Sequence, residues 1–598
     1  MSAHAFNLGE PLGPGAIKTA LRATRPALAT AVVFSFFINV LALAGPLYML
    51  QVYDRVLSSR SLSTLVALTV ILAFVYAVSS ALEMLRSKIL VRAGVKFDKV
   101  ANPDVFRGVQ RATIIQPSPR HVQSLRDVDT IREFFTGSGL LAFCDFPWVP
   151  VYVIAAFALN PIYGWLAVGG SVITFGLALA NEYSTKSSLD QASRNAMAAN
   201  NHAVATFRNA EVLQAMGMIE ALRSRWSKHH EATLGWQAAA SNKAGVLIAL
   251  TKFNRTLLQS LILGVGAYLV IEREVSPGMM IAASIIIGKA LAPVEIAIGN
   301  WKGFVSMREA YRRVNGLLEK VPEPSKRLRL PTPAGTVTLE NVHARAPGRE
   351  TLVLRNVSLT LPAGAVLGVV GASAAGKSSL ARVMVGVWPV AGGTVRLDGA
   401  DLNHWDPNDL GRHIGYLPQD VELFSGTIAE NISRFDEAAT QDDIIRASTL
   451  AGVHDLVQKL PDGYNTHIGD GGQALSGGQR QRIGLARAIY GMPAVIVLDE
   501  PNANLDSVGE QALVQAVAAM RQARRTVVIV THKTNILGMV DYVLVMNEGA
   551  VQLAGPRDEA LAAIMGPRVV AGSPARDSAA AETRAPSLEK RGGAATAA

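Results

Sequence analysis

The chain has 598 residues, more than one ordinary domain holds, and 49% of them are hydrophobic against 17% charged, a balance unusual for a soluble enzyme. Its formal net charge of +10 would suit a nucleic-acid binder. The surplus Lys and Arg, however, fall in segments between apolar runs, so no nucleic-acid partner is expected and a lipid bilayer is. The single cysteine, Cys144, excludes an intrachain disulfide and a cysteine-rich metal site.

Residues 1–25 form an N-terminal segment carrying Lys18, Arg22 and Arg25. Residues 26–53 and 61–82 follow without a charge, each longer than the roughly 20 residues that span a bilayer. A secretory signal is the rival reading of the first run, because Ala42-Leu43-Ala44 resembles a cleavage pattern. The run continues past that point and exceeds the roughly 7 to 15 residues of a signal core. Residues 146–181 are again uncharged, and Asn160-Pro161 near the middle reads as a tight turn between two spans. Further spans near 250–271 and 277–301 bring the number to six, in a membrane domain assigned to residues 26–315.

Lys and Arg number ten between residues 83 and 138 and seven between 182 and 243, whereas the turns on the other side hold only Arg55, Arg60 and Arg273. Loops rich in Lys and Arg stay in the cytoplasm, so both termini are expected there. Asp145, Lys252, Arg255, Lys289 and Glu295 lie in or beside the spans. At membrane depth such groups mark a pathway; in helices that run on beyond the bilayer they are ordinary interfacial charges. Lys289 and Glu295 are expected to border a translocation path, with Pro293 between them bending the sixth helix. The Pro-containing basic stretch VPEPSKRLRLPTPAG marks a linker, assigned to 316–335. A second domain follows over 336–566, and residues 567–598 read as a disordered tail.

The second domain carries chemistry. GASAAGKS fits G-x-x-x-x-G-K-[ST] and follows an apolar strand over 366–370. Backbone amides of Gly371, Ala372, Ser373, Ala374, Ala375 and Gly376 would cradle phosphates of ATP, with Ser379 behind them at the start of a helix. Lys377 would reach the terminal phosphates, and the Ser378 hydroxyl would ligate Mg2+. Alone, this block also reads as a glycine turn between strand and helix. A second apolar strand ends at Asp499 and Glu500, where ligands collect in open α/β sheets. Asp499 suits a magnesium ligand and Glu500 the group that polarises an attacking water; the same pair alone reads as a solvated strand cap. A third strand, 526–530, leads to His532, a candidate contact to the terminal phosphate or a structural histidine.

With LSGGQRQR at 475–482 standing between GASAAGKS and VIVLDE, the ordered set resembles the ATP-binding cassette superfamily. The resemblance implies an α/β P-loop NTPase cassette fused to an all-α exporter domain of six transmembrane helices. It implies that Glu500 is catalytic, that His532 is a switch histidine, and that Gln419 in YLPQD senses magnesium and touches the membrane domain. Ser476, Gly477, Gly478 and Gln479 resemble the signature that closes on ATP held by a partner's phosphate loop, and Asp506 the loop aspartate that communicates across that dimer. No internal repeat points to a second cassette, so a homodimer is expected. One departure stands out: VHARAPGRE has Ala346 where relatives carry an aromatic that stacks on adenine. His343, Arg345 and Arg349 are candidate substitutes, and weak discrimination between ATP and GTP is expected.

PLYMLQVYDRVLSSRSLSTL, RDVDTIREFFTGSGLLAFCDFPWVPVYV and IIIGKALAPVEIAIGNWK are similar to bacterial type I secretion exporters, in the subgroup that exports proteases, lipases and S-layer proteins. This implies an inner-membrane translocase that exports an unfolded polypeptide with a C-terminal signal. A periplasmic adaptor and an outer-membrane channel would complete the route. With about 25 residues before the first span, no N-terminal peptidase domain is expected. A lipid or drug exporter of the same architecture is the alternative, since fold does not fix cargo.

Overall fold

The computed structural model describes residues 15–321, 330–472 and 474–565. The tail expected over 567–598, residues 322–329 of the linker and the start of the N-terminal segment lie outside the described residues. Two compact units emerge. One holds the chain up to Pro333 with Val337–Ser358 and Arg382–His413, the other Ala334–Thr336, Leu359–Ala381 and the chain from Ile414.

Among the described residues of the first unit, six segments are long and apolar enough to cross a membrane: Ile17–Ser59, Leu62–Ile115, Ser138–Leu159, Pro161–Phe207, Ile219–Ile271 and Pro277–Gly299. The turn falls at Asn160, whose side chain accepts from Ile162 N at 2.8 Å while Pro161 takes the first helical position. The segments of 54, 47 and 53 residues rise about 1.5 Å per residue, giving roughly 80, 70 and 80 Å against about 30 Å of hydrocarbon. Most of each helix therefore lies outside lipid, and these portions carry most of the Lys and Arg of the two basic segments. Short connecting helices occupy Pro119–Thr136 and Ala210–Ala215.

Two boundaries differ from the sequence reading. The first helix begins at Gly15 and runs through Pro26, because Ile17 and Ala20 are buried against Phe97, Ala101 and Val105. That burial outweighs the one hydrogen bond lost at proline. The third span starts at Ser138 instead of 146 and so contains Asp145, which is not left facing lipid. Arg86 donates to it at 2.6 Å and Asn39 at 3.2 Å, and Tyr152 in turn donates to Asn39 at 2.8 Å. Helices approach closely where glycine permits: a Cβ on Gly170 would come 2.3 Å from Leu258.

Glu295 pairs with Arg255 at 2.8 Å, and the sixth helix is continuous through Pro293. Counted from the helix ends expected to face away from the cassette, Arg86, Lys252, Arg255 and Glu295 lie about 36, 29, 24 and 27 Å along their helices. Against a hydrocarbon layer about 30 Å thick, these distances fall near its edge, where charged groups are tolerated. Lys289, at about 18 Å, is deeper.

The antiparallel sheet comprises β1 (Val337–Arg345), β2 (Leu352–Leu361), β4 (Val390–Leu397) and β5 (Ala400–Asp401), in the order β2-β1-β4-β5. The second unit is built on β3 (Val366–Gly371), β6 (Ile414–Leu417), β7 (Val495–Asp499), β8 (Thr526–Val530), β9 (Tyr542–Asn547) and β10 (Ala550–Pro556), in the order β10-β9-β3-β8-β7-β6. β7 and β8 are buried at every residue, as parallel strands covered on both faces must be.

Candidate active site

The sheet order sets the site. Parallel pairing places Val369 beside Val530, Val530 beside Asp499, and Leu498 beside Leu417, so the carboxyl ends of β3, β8, β7 and β6 stand side by side. The phosphate loop, His532, the Asp499-Glu500 pair and Gln419 each follow one of these ends, which explains how residues far apart in sequence converge.

Past β3 the loop turns through φ values of +153° at Gly371, +65° at Ala374 and +96° at Gly376. A Cβ at Gly371 would come 2.3 Å from Met546 O, so only glycine fits there. Ala372, Ser373 and Ala374 are exposed, while Ala375, Gly376 and Ser379 are buried beneath them. The helix Lys377–Met384 directs its free N–H groups at this loop, an arrangement suited to phosphate. Lys377 Nζ donates to Gly371 O at 2.9 Å and Ala372 O at 2.8 Å, folding back over the cradle. Burial lowers the Lys377 pKa from its ordinary 10.5, against the opposing pull of Glu500 and Asp499.

Ser378 Oγ donates to Asp499 Oδ1 at 3.0 Å, and Asp499 is fully buried. This pairing of hard oxygens beside a phosphate cradle fits Mg2+ carried with ATP. Bound there, the ion would neutralise phosphate charge during transfer.

Glu500 is held from three directions. Gln419 Nε2 donates to Oε2 at 3.0 Å, His532 Nε2 lies 3.1 Å from Oε1, and the Glu500 backbone N–H donates to Val530 O at 3.0 Å. The histidine contact requires a proton on Nε2. Glu500 also adopts φ +49°, a conformation that costs roughly 1–3 kcal/mol for a residue with a side chain and persists only where surroundings enforce it. The carboxylate is thereby fixed at the strand tip.

A second group forms around the signature. Ser476 caps the helix Gly477–Ile489 through a reciprocal capping box: Gln479 N donates to Ser476 Oγ at 3.3 Å and Ser476 N donates to Gln479 Oε1 at 2.8 Å. The Gln479 side chain is thus engaged in capping. Gly478 lies against Asn504, where a Cβ would come 2.9 Å from the Asn504 carbonyl. Asp506 caps the next helix, Ser507–Gln522, accepting from Gly509 N at 2.8 Å, and is also bound by Arg482. The Gly509 amide and the Arg482 guanidinium hold its carboxyl below the usual range. Arg482 stands in the signature stretch, but the sequence alone does not reveal its partner.

Arg434 was not foreseen. Its guanidinium donates to the carbonyls of Arg487 and Ala488 at 2.9 Å each, clasping the far end of the signature helix, and to Ile414 O at 3.3 Å. Burial lowers its pKa to about 10. In the antiparallel sheet's loop, Ala346 begins a turn closed by Arg349 N donating to Ala346 O at 3.0 Å.

Two family models match the chain, "ABC transporter" over residues 354–503 and "ABC transporter transmembrane region" over 28–291. The chain is 44% identical over 552 residues to the type I secretion system ATP-binding protein PrsD of Rhizobium meliloti (strain 1021), covering 92% of this chain and 95% of that protein. The chain belongs to the type I secretion ABC transporters. It is also 30% identical to the leukotoxin translocation ATP-binding protein LktB of Mannheimia haemolytica, over 88% of this chain and 75% of that one. The bacterial Atm1-family ABC exporter with ATP bound shares its fold, with a TM-score of 0.75 at 21% identity, covering 90% of this chain and 96% of that chain. This ABC transporter is accordingly an ATPase coupled to transport across a membrane.

Proposed function

We propose that two copies of this chain form the ATP-driven inner-membrane motor of a type I secretion system, with cassettes and termini in the cytoplasm. The cargo is an unfolded polypeptide with a C-terminal signal, passed to a periplasmic adaptor and an outer-membrane channel. The observation that carries this reading is the 44% identity to a type I secretion protein along both halves of the chain. The toxin-translocating relatives favour a polypeptide over a lipid or drug.

Within each copy, Gly371–Ser379 would bind the triphosphate through backbone amides and Lys377, while Ser378, Asp499 and Gln419 would hold the magnesium. Glu500 accepts a proton from the attacking water, and His532 and Gln419 keep that carboxylate aimed. Ser476 to Gln479 of one copy and the phosphate loop of the other enclose each nucleotide, with Asp506 at the boundary. Closure is favoured only because ATP binds the closed pair more tightly than the open one.

The test is to delete the gene and compare extracellular proteins. Loss of one or a few proteins, restored by the wild-type gene and not by Glu500→Gln, supports the reading. An unchanged set of secreted proteins with an altered membrane lipid profile would replace it by lipid export.

A further inference from the structure

We propose that Lys533 and Glu510 are positioning residues that couple the switch histidine to the loop aspartate. This rests on the ATPase reading of the site.

His532 lies in the loop that leaves β8, and Asp506 caps the helix Ser507–Gln522. Two polar links join these segments. Lys533, the residue after the switch histidine, forms an ion pair with Glu510 in the first turn of that helix. Thr531, the residue before the histidine, is fully buried, and its Oγ1 donates to Asn502 Oδ1 at 3.5 Å while accepting from Lys533 N at 3.1 Å. Glu510 N in turn donates to Asp506 O at 2.9 Å. His532 is therefore flanked by two residues that both reach the segment 502–510.

A cleft of about 370 Å³ opens between helix and loop, lined by Ser507, Glu510, Gln511, Val514, Lys533 and Ile536. Ile536 packs in one apolar cluster with Leu513 and Val517 of the helix, and Lys533 with Glu510 adds an ion pair at the mouth of the cleft. The Lys533 and Glu510 side chains are 45% and 31% exposed, and an ion pair so placed adds at most about 1 kcal/mol to stability. Its value lies in geometry. A displacement of Asp506 pulls on Glu510 through the first helical turn, on Lys533 through the ion pair, and so on the backbone of His532, which sets the Glu500 carboxylate. The pair ties the reacting carboxylate to the residue at the dimer boundary within one copy.

The experiment measures kcat and KM for Mg-ATP, together with the thermal midpoint, on the full-length dimer in nanodiscs. The variants are Glu510→Lys, Lys533→Glu, the double reversal, and the neutral Glu510→Gln. Each single reversal should lower kcat about tenfold or more, with KM and midpoint near wild type, Glu510→Gln should give a smaller loss, and the double reversal should recover at least half of the wild-type rate. Wild-type kcat in the single variants, a double reversal no better than the singles, or a rate loss that merely follows a fallen midpoint would each overturn the coupling. A wild-type chain without Mg-ATP hydrolysis would instead overturn the ATPase reading beneath it.

Discussion

Replacing Glu500 by Gln isolates the proposed chemistry because the two side chains have the same shape. In the native site two donors, Gln419 Nε2 and His532 Nε2, converge on the two carboxylate oxygens at 3.0 and 3.1 Å. A glutamine at 500 offers one acceptor and one NH2, so one donor would face another. His532 can relieve that clash by carrying its proton on Nδ1 and accepting from the NH2 at Nε2, which leaves Gln419 as it stands. The ground-state geometry should therefore survive while the base is lost. A positioned general base contributes about 100- to 10,000-fold, which at 1.36 kcal/mol per decade is about 3–5 kcal/mol of barrier. The phosphate cradle does not involve this side chain, so ATP should still bind. Phosphate release by the full-length dimer should fall into that range, with ATP retained after gel filtration at near wild-type stoichiometry. A kcat within about threefold of wild type would refute the assignment of Glu500 as base.

Lys377→Ala should raise KM for ATP by about 10- to 100-fold, the worth of a charge-assisted hydrogen bond. The cationic form is the one that holds phosphate, and burial lowers its pKa. ATP affinity should therefore be full at neutral pH and begin to fall below pH 10.5 as pH rises; affinity unchanged up to that value would contradict the burial argument. For stability the sign runs the other way: burying the cation opposes folding at neutral pH, and that penalty is relieved between the lowered pKa and 10.5. Asp145→Ala leaves Arg86, 7% exposed, without its counter-charge and should cost about 3–5 kcal/mol, whereas an Arg86→Leu, Asp145→Leu double variant should melt near wild type. Equal melting losses in both variants would show that packing, not charge, is what Asp145 supplies. Ala346 stands where the family resemblance implies an adenine-stacking aromatic, so GTP and ATP should be hydrolysed at similar rates; a strong ATP preference would count against this.

The sequence by itself determined the membrane spans, the orientation bias and the nucleotide chemistry, because each is written locally. An uncharged run longer than a bilayer is thick, a glycine loop ahead of Lys377, and adjacent carboxylates ending an apolar strand need no distant partner to be recognised. Tertiary structure decided what depends on contact between remote segments. It carried the first helix back through Pro26 to bury Ile17 and Ala20, placed Arg86 beside Asp145 and Arg255 beside Glu295, and brought Gln419 and His532 onto the two oxygens of Glu500. It also engaged Gln479 in a helix cap and brought Arg434 to the end of the signature helix. Hydrogen bonds and ion pairs act over about 3 Å, and only the order of strands in the sheet and the packing of helices bring such groups within that distance.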